Sequence, residues 1–145
     1  MATVEQLLSV KGRAVYTVGN TELVFDAIAK MVANNVGALV VTTDGQPSGI
    51  VTERDYLRRV ALEGRSSKNT FVQEIMSNEL TYVDTDTDLE ECMLLMTHRR
   101  IRHLPVIDDG RLAGIVSIGD IIKELARQRE STIWELTHYI QRGYA

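Results

Sequence analysis

The chain contains the same pattern twice. The stretch "GIVTERD" at residues 49–55 returns sixty-five residues later as "GIVSIGD" at 114–120. At that offset Leu39, Val41, Asp44 and Gly45 meet Leu104, Val106, Asp109 and Gly110. Gly49, Ile50, Val51 and Asp55 meet Gly114, Ile115, Val116 and Asp120, and Thr52 meets Ser117 with its hydroxyl kept. Upstream, Val24, Ala27, Ile28 and Met31 are spaced as one face of a helix, and Leu89, Cys92, Met93 and Met96 repeat that face. An ordered set of matching elements is a structural repeat rather than one shared peptide.

Each unit reads as a short strand, a helix, a strand, a turn, a strand and a helix, a β-α-β-β-α unit. Strands at 38–42 and 48–52 flank "TDGQPS", a turn by its Asp, Gly, Pro and Ser, and "DDGR" serves the second unit. The expected fold class is α/β, with two repeats packed as a pseudo-twofold pair. A unit of about 60 residues buries too little surface to be secure alone. The expectation is that two units pack sheet to sheet around one core. The boundaries drawn are 1–70 for the first repeat with its N-terminal segment and linker, 71–128 for the second, and 129–145 for a helical extension.

Composition narrows the function. The net charge of −4 argues against nonspecific nucleic-acid binding, which stays a minor option through the basic cluster "HRRIRH" at 98–103. One cysteine excludes an internal disulfide. Apolar runs fall far short of the ~20 residues of a membrane helix. The opening "MATVEQLLSVKGRAV" lacks the apolar core of a signal peptide. The expected location is the cytoplasm, or an organelle matrix if a transit peptide has been removed. Neither a Walker loop, a GxGxxG nor a metal-ligand spacing is present, so no catalytic residue and no metal site is assigned.

Thr52 with Asp55, and Ser117 with Asp120, sit where a strand runs into a helix. That spacing forms a capping box, which needs no ligand. The same atoms also suit a nucleotide. The helix N-terminus favours phosphate, a hydroxyl can donate to it, and a carboxylate accepts from a vicinal diol. Both readings stand on these residues.

The doubled strand pair running into G-h-h-[ST]-x-x-D, with "LPVID" in the second copy, resembles the cystathionine-β-synthase-type (CBS) domain. The two copies together resemble a CBS pair, or Bateman module, over residues 10 to 128. "HRRIRHLPVIDDG" and the tail "IWELTHYIQRGY" are similar to stand-alone CBS-pair proteins with no catalytic domain. The resemblance implies that an adenine nucleotide (AMP, ADP, ATP, NAD or NADH) binds in clefts between the repeats. Asp55 and Asp120 would hold ribose hydroxyls, with Thr52 and Ser117 on ribose or phosphate. Adenine would lie near Tyr16, Val36, Gly37 and Ala38 in one cleft. In the other it would lie near Thr81, Tyr82 and Val83 and near His103, Leu104 and Pro105. The Ser117/Asp120 cleft is expected to be the stronger, helped by Arg102, His103 and an Arg54 reaching across.

Other features have plainer readings. His98 fits a solvated basic face, His138 a surface position, and Cys92 a buried structural thiol. The linker "RSSKNT" at 65–70 is read as polar spacer, with Arg65, Ser66, Ser67 and Lys68 as secondary contacts to the phosphates of a larger dinucleotide. Thr132 and Glu135 have capping-box spacing, so a separate helix is expected there, docking on a partner subunit through Trp134 and Tyr139. The leading function is a stand-alone regulatory module, a homodimer that modulates a partner protein when nucleotide binds. The alternative is a constitutive homodimerising scaffold with non-binding clefts.

Overall fold

The computed structural model describes residues 2–141, and the side chains of residues 2–130. Each repeat is organised by a hairpin turned on Asp-Gly. Asp44 and Gly45 have φ of 52° and 79°, and Asp109 and Gly110 have 50° and 75°. Two successive left-handed residues make the turn whose twist matches paired strands. The first hairpin pairs β2 (Ala38–Thr43) with β3 (Gln46–Thr52), and the second pairs β4 (His103–Asp108) with β5 (Arg111–Ser117). The turn expected over "TDGQPS" therefore closes within two residues. Pro47 is carried into β3 opposite Thr42, where a register shift lets a residue without an N–H enter the ladder.

In the first repeat β1 (Thr17–Gly19) adds a parallel third strand against β2. Its counterpart in the second repeat shrinks to a single bridge between Val83 and Val106. The helices α2 (Val24–Asn34) and α4 (Leu89–Arg99) bury the stripes read from sequence, Val24, Ala27 and Met31 in one and Leu89, Cys92 and Met96 in the other. They end alike, on left-handed Asn35 and Arg100, whose N–H groups return to the last turn. After β3, α3 (Glu53–Tyr56) widens into a π-helical stretch at Leu57–Ala61. After β5, α5 runs unbroken over Ile118–Gln141. No second helix starts at Thr132, because the chain is already helical there. The docking expected of Trp134 and Tyr139 lies outside the described side chains.

The expected single core is replaced by two. One buried cluster gathers Val18, Val24, Ala27, Met31, Leu39 and Val51 of the first repeat, and the other gathers Val83, Leu89, Cys92, Met96, Leu104 and Val116 of the second. Each is completed by a segment that precedes the opposite repeat. The N-terminal helix α1 (Val4–Lys11), capped by Thr3 with Gln6, puts Val4, Leu7 and Leu8 into the second cluster. Val72, Ile75 and Met76, which open the second repeat in sequence, fill the first.

The backbone ties match this exchange. Val4 and Glu5 donate their N–H groups to Thr87 and Thr85, and Val72 and Gln73 donate to Glu22 and Asn20. The packing thus crosses the sequence boundary near residue 70 in both directions. Where the exchanged segments cross the hairpins, glycine is required. A Cβ on Gly49 would overlap the Ser77 carbonyl and the Met76 methyl, and one on Gly114 would sit 2.9 Å from Leu8 Cδ2. No described helix is long and apolar enough to cross a membrane.

Gly49→Ala is expected to lose about 1–3 kcal/mol through overpacking against backbone, lowering the Tm by several degrees. Gly119→Ala is the control. Its Cβ would meet only Ser117 Oγ at 3.7 Å, so it should hold or slightly raise the Tm, since alanine favours a helix over glycine. Thermal unfolding of the two variants checks the exchange. Equal stability of Gly49→Ala and wild type would contradict it.

Candidate functional site

Both hydroxyl–carboxylate pairs form capping boxes. Asp55 N–H donates to Thr52 Oγ1 at 3.2 Å, and Asp55 Oδ2 accepts from the Thr52 N–H at 2.9 Å and hydroxyl at 3.1 Å. In the second repeat Asp120 N–H donates to Ser117 Oγ at 3.1 Å and Asp120 Oδ2 accepts from the Ser117 N–H at 2.9 Å. The pairs also differ in what meets them. Lys11 Nζ reaches Asp120 Oδ2 at 2.6 Å and the Ile115 carbonyl at 2.6 Å. The equivalent carbonyl in the first repeat, that of Ile50, accepts instead from the Ser77 N–H at 3.0 Å.

Ser117 and Asp120 open onto a cleft of about 360 Å³, within the ~300–1,000 Å³ range usual for small-molecule sites. Its other walls are Lys11, Gly12, Ala14 and Tyr16, the segment Asn35–Ala38, and His103 with Ile115. Residues from both repeats therefore meet here. Tyr16, Val36, Gly37 and Ala38, expected for one cleft, share a wall with the Ser117/Asp120 pair and His103.

The pseudo-symmetric space beyond Ile50 holds only about 100 Å³, and its walls include Ser77, Glu79, Thr81, Arg99, His103 and Pro105. Glu79 pairs with Arg99 across it at 3.4 Å. Thr52 and Asp55 do not reach its lining. A larger groove of about 870 Å³ lies on the outer side of the second repeat, walled by Tyr82, Val83, Leu94 and Asp108 among others. It contains neither hydroxyl–carboxylate pair, so its size does not make it the candidate site.

The geometry places several of the expected residues outside this cleft. Arg54 and Arg102 are exposed and lie outside the cleft walls. On α3 it is the neighbouring Glu53 whose carboxylate lies over Gly37, and its N–H donates to the Gly37 carbonyl. Tyr82 and Val83 line the outer groove instead. Val83 is tied to β4 by hydrogen bonds with Pro105 and Ile107. Leu104 is fully buried in the second core and lines none of these cavities.

The linker cations are also engaged elsewhere. Arg65 pairs with Glu74, and Lys68 lies over the Phe25 ring. The "HRRIRH" cluster is broken up by the left-handed end of α4 at Arg100, so it forms no continuous basic stripe. Lys11, which sequence reasoning missed, is the cation that enters the cleft. Its signal was faint, a lysine ending an amphipathic segment, with Met76 and no second cation at the offset of 65.

Electrostatics separate the groups in the cleft. For Asp120, burial pushes the carboxyl up. The hydrogen bonds from Lys11 and from Ser117 outweigh it and hold the group below its usual range. For His103, burial dominates and lowers the imidazole; Asp120 and Glu53 pull it up, while Lys11 and Arg102 push it further down. Cys92 is pushed up to about 11, first by burial and then by Glu91, so it stays an unreactive thiol at neutral pH. Among the described residues no group of three or more His, Cys, Asp or Glu is placed to hold a metal.

The lowered His103 makes the unfolded chain bind more protons as the pH falls below the unfolded histidine value of ~6.5. Stability should therefore drop from pH 7.5 to pH 5.5, a window that leaves Asp120 ionised because its own loss comes only in strong acid. His103→Gln should remove much of that drop. Tm measured across this range for both proteins is the check, and parallel curves would contradict the assignment.

The CBS domain family model matches residues 9–62 and 72–127. The mitochondrial CBS domain-containing protein CBSX3 of Arabidopsis thaliana is 45% identical over 128 residues, which cover 85% of this chain and 62% of that protein. The chain thus spans less than two thirds of that relative's length. A solved protein with CBS domains from Burkholderia ambifaria is 48% identical, with a TM-score of 0.82 over 86% of this chain and 93% of that one. The hexameric CBS-CP12 protein of bloom-forming cyanobacteria aligns at 31% identity and a TM-score of 0.76, over 83% of this chain and 66% of its own. With two copies of the domain in tandem and a pair fold shared with these structures, the chain belongs to the CBS-domain family.

Proposed function

We propose that this CBS pair is a regulatory module that takes one adenine nucleotide (AMP, ADP, ATP, NAD or NADH) in the Ser117/Asp120 cleft and passes its occupancy to a partner protein. The observation that carries this is the 360 Å³ cleft, where hydroxyl, carboxylate, a cation and an imidazole face the Tyr16 and Val36–Ala38 wall. Such a set can hold ribose and phosphate while the base lies on backbone and apolar surface. It offers no evident general base poised on a nucleophile, so the reading is regulatory and not enzymatic. The smaller space beyond Ile50, at about 100 Å³, is not a second site in this reading.

Signalling needs a second state or a second subunit. The helices carry exposed apolar side chains outward, among them Phe25 and Val32 on α2, Leu94 on α4 and Ile122 on α5. Apolar surface of this kind suits association, and the reading is a homodimer joined through these helices. The compartment in this reading is the cytoplasm or an organelle matrix. A second reading has its own support: both carboxylates already serve as caps, as a scaffold without ligands would require.

Thermal shift with each nucleotide on wild type, Asp120→Asn and Asp55→Asn separates the two. At 100 times its Kd a ligand adds about 2.7 kcal/mol, a shift of several degrees for a chain this size. The shift should vanish in Asp120→Asn and persist in Asp55→Asn. No shift of the wild type with any of these nucleotides would leave the scaffold reading in place.

A further inference from the structure

We propose that Lys11 is an exchangeable counter-ion that makes the Ser117/Asp120 cleft select phosphorylated nucleosides over nucleosides. The proposal rests on the nucleotide reading of that cleft and names what decides among its ligands. The Lys11 ammonium is held by two acceptors, Asp120 Oδ2 and the Ile115 carbonyl, both at 2.6 Å. Asp120 Oδ2 is shared, because it also accepts the Ser117 N–H. A vicinal diol arriving at Asp120 therefore competes with Lys11 for the same carboxylate.

What the ammonium gains next depends on the ligand. It is anchored at the end of α1, whose Val4, Leu7 and Leu8 stay fixed in the second core. It therefore remains within the cleft once released. A phosphate on the ligand gives it a new ionic partner, and the charge-assisted bond replaces the one lost. A bare nucleoside displaces the lysine and returns nothing. Among the described residues lining this cleft Lys11 is the one lysine or arginine, and burial lowers the half-buried His103 imidazole.

The first repeat has no such device. The place that Lys11 takes against Ile115 is taken against Ile50 by the backbone N–H of Ser77, which carries no charge and cannot swing away. The difference follows from the exchanged segments. On one side the segment is a two-turn helix that ends in a lysine. On the other a short 3-10 turn, Val72–Glu74, leads through Met76 into Ser77.

Isothermal titration with AMP and with adenosine, on wild type, Lys11→Met and Lys11→Arg, tests the exchange. Lys11→Met should weaken AMP by about ten- to a hundredfold, the usual worth of a charged hydrogen bond. It should leave adenosine unchanged or tighter, because Asp120 no longer has to be freed. Lys11→Arg should keep most of the preference for AMP. An equal loss for both ligands in Lys11→Met would mean that the lysine merely holds the cleft in shape, and the proposal would fail while the site stood. Unchanged AMP affinity would also overturn it. A wild type that binds neither ligand would remove the nucleotide reading and the selection together.

Discussion

The structure depends on a reciprocal exchange. Neither repeat can close its own core, because a hairpin flanked by two helices leaves one side of the sheet open. Each is closed by the segment that leads into the other. Val4, Leu7 and Leu8 complete the second core, and Val72, Ile75 and Met76 complete the first. The two halves are then mutually required, and the chain gains as a pair what a unit of about 60 residues lacks alone. The exchange also explains the glycines at 49 and 114, which repeat in sequence because in both halves a foreign segment crosses the hairpin there.

The architecture was largely legible from the repeat. Matching strands, turns and helical stripes gave the unit, its order and its fold class, and the Asp-Gly turns and buried stripes lie where the pattern put them. The exchange was not legible, for a physical reason. Val4 and Glu5 hold the second repeat as Val72 and Gln73 hold the first, but those residues stand 68 apart rather than 65. A comparison locked to one offset slides past them, so the N-terminal helix was assigned to the repeat it precedes and not to the one it covers. The single shared core was expected on other grounds, from the small size of each unit and from packing sheet to sheet.

The cleft was legible in its constant parts. Ser117, Asp120, His103, Tyr16 and Val36–Ala38 were all named from sequence, and the structure brings them to one cavity. The expected arginines lie outside its walls. At the offset of 65 Arg54 meets Gly119 and Arg102 meets Gly37, but a difference between the repeats says nothing of direction. Arg54 is exposed on α3, while the adjacent Glu53 faces Gly37. A side chain's direction on a four-residue helix follows from how that turn docks, which no spacing rule contains.

Capping and ligand binding need not be rival uses of these carboxylates. A cap fixes the carboxylate in place through Oδ2, to the Thr52 N–H in one repeat and the Ser117 N–H in the other. A group held in that way is already oriented when a ligand arrives, so less freedom is lost on binding. The repeat supplies this oriented acid twice. What differs is the segment that each half borrows: one brings a mobile charge into a cleft of about 360 Å³, and the other brings backbone into a space of about 100 Å³. Two near-identical junctions thus come to stand in unlike chemical surroundings, and the difference originates in the exchanged segments and not in the junctions themselves.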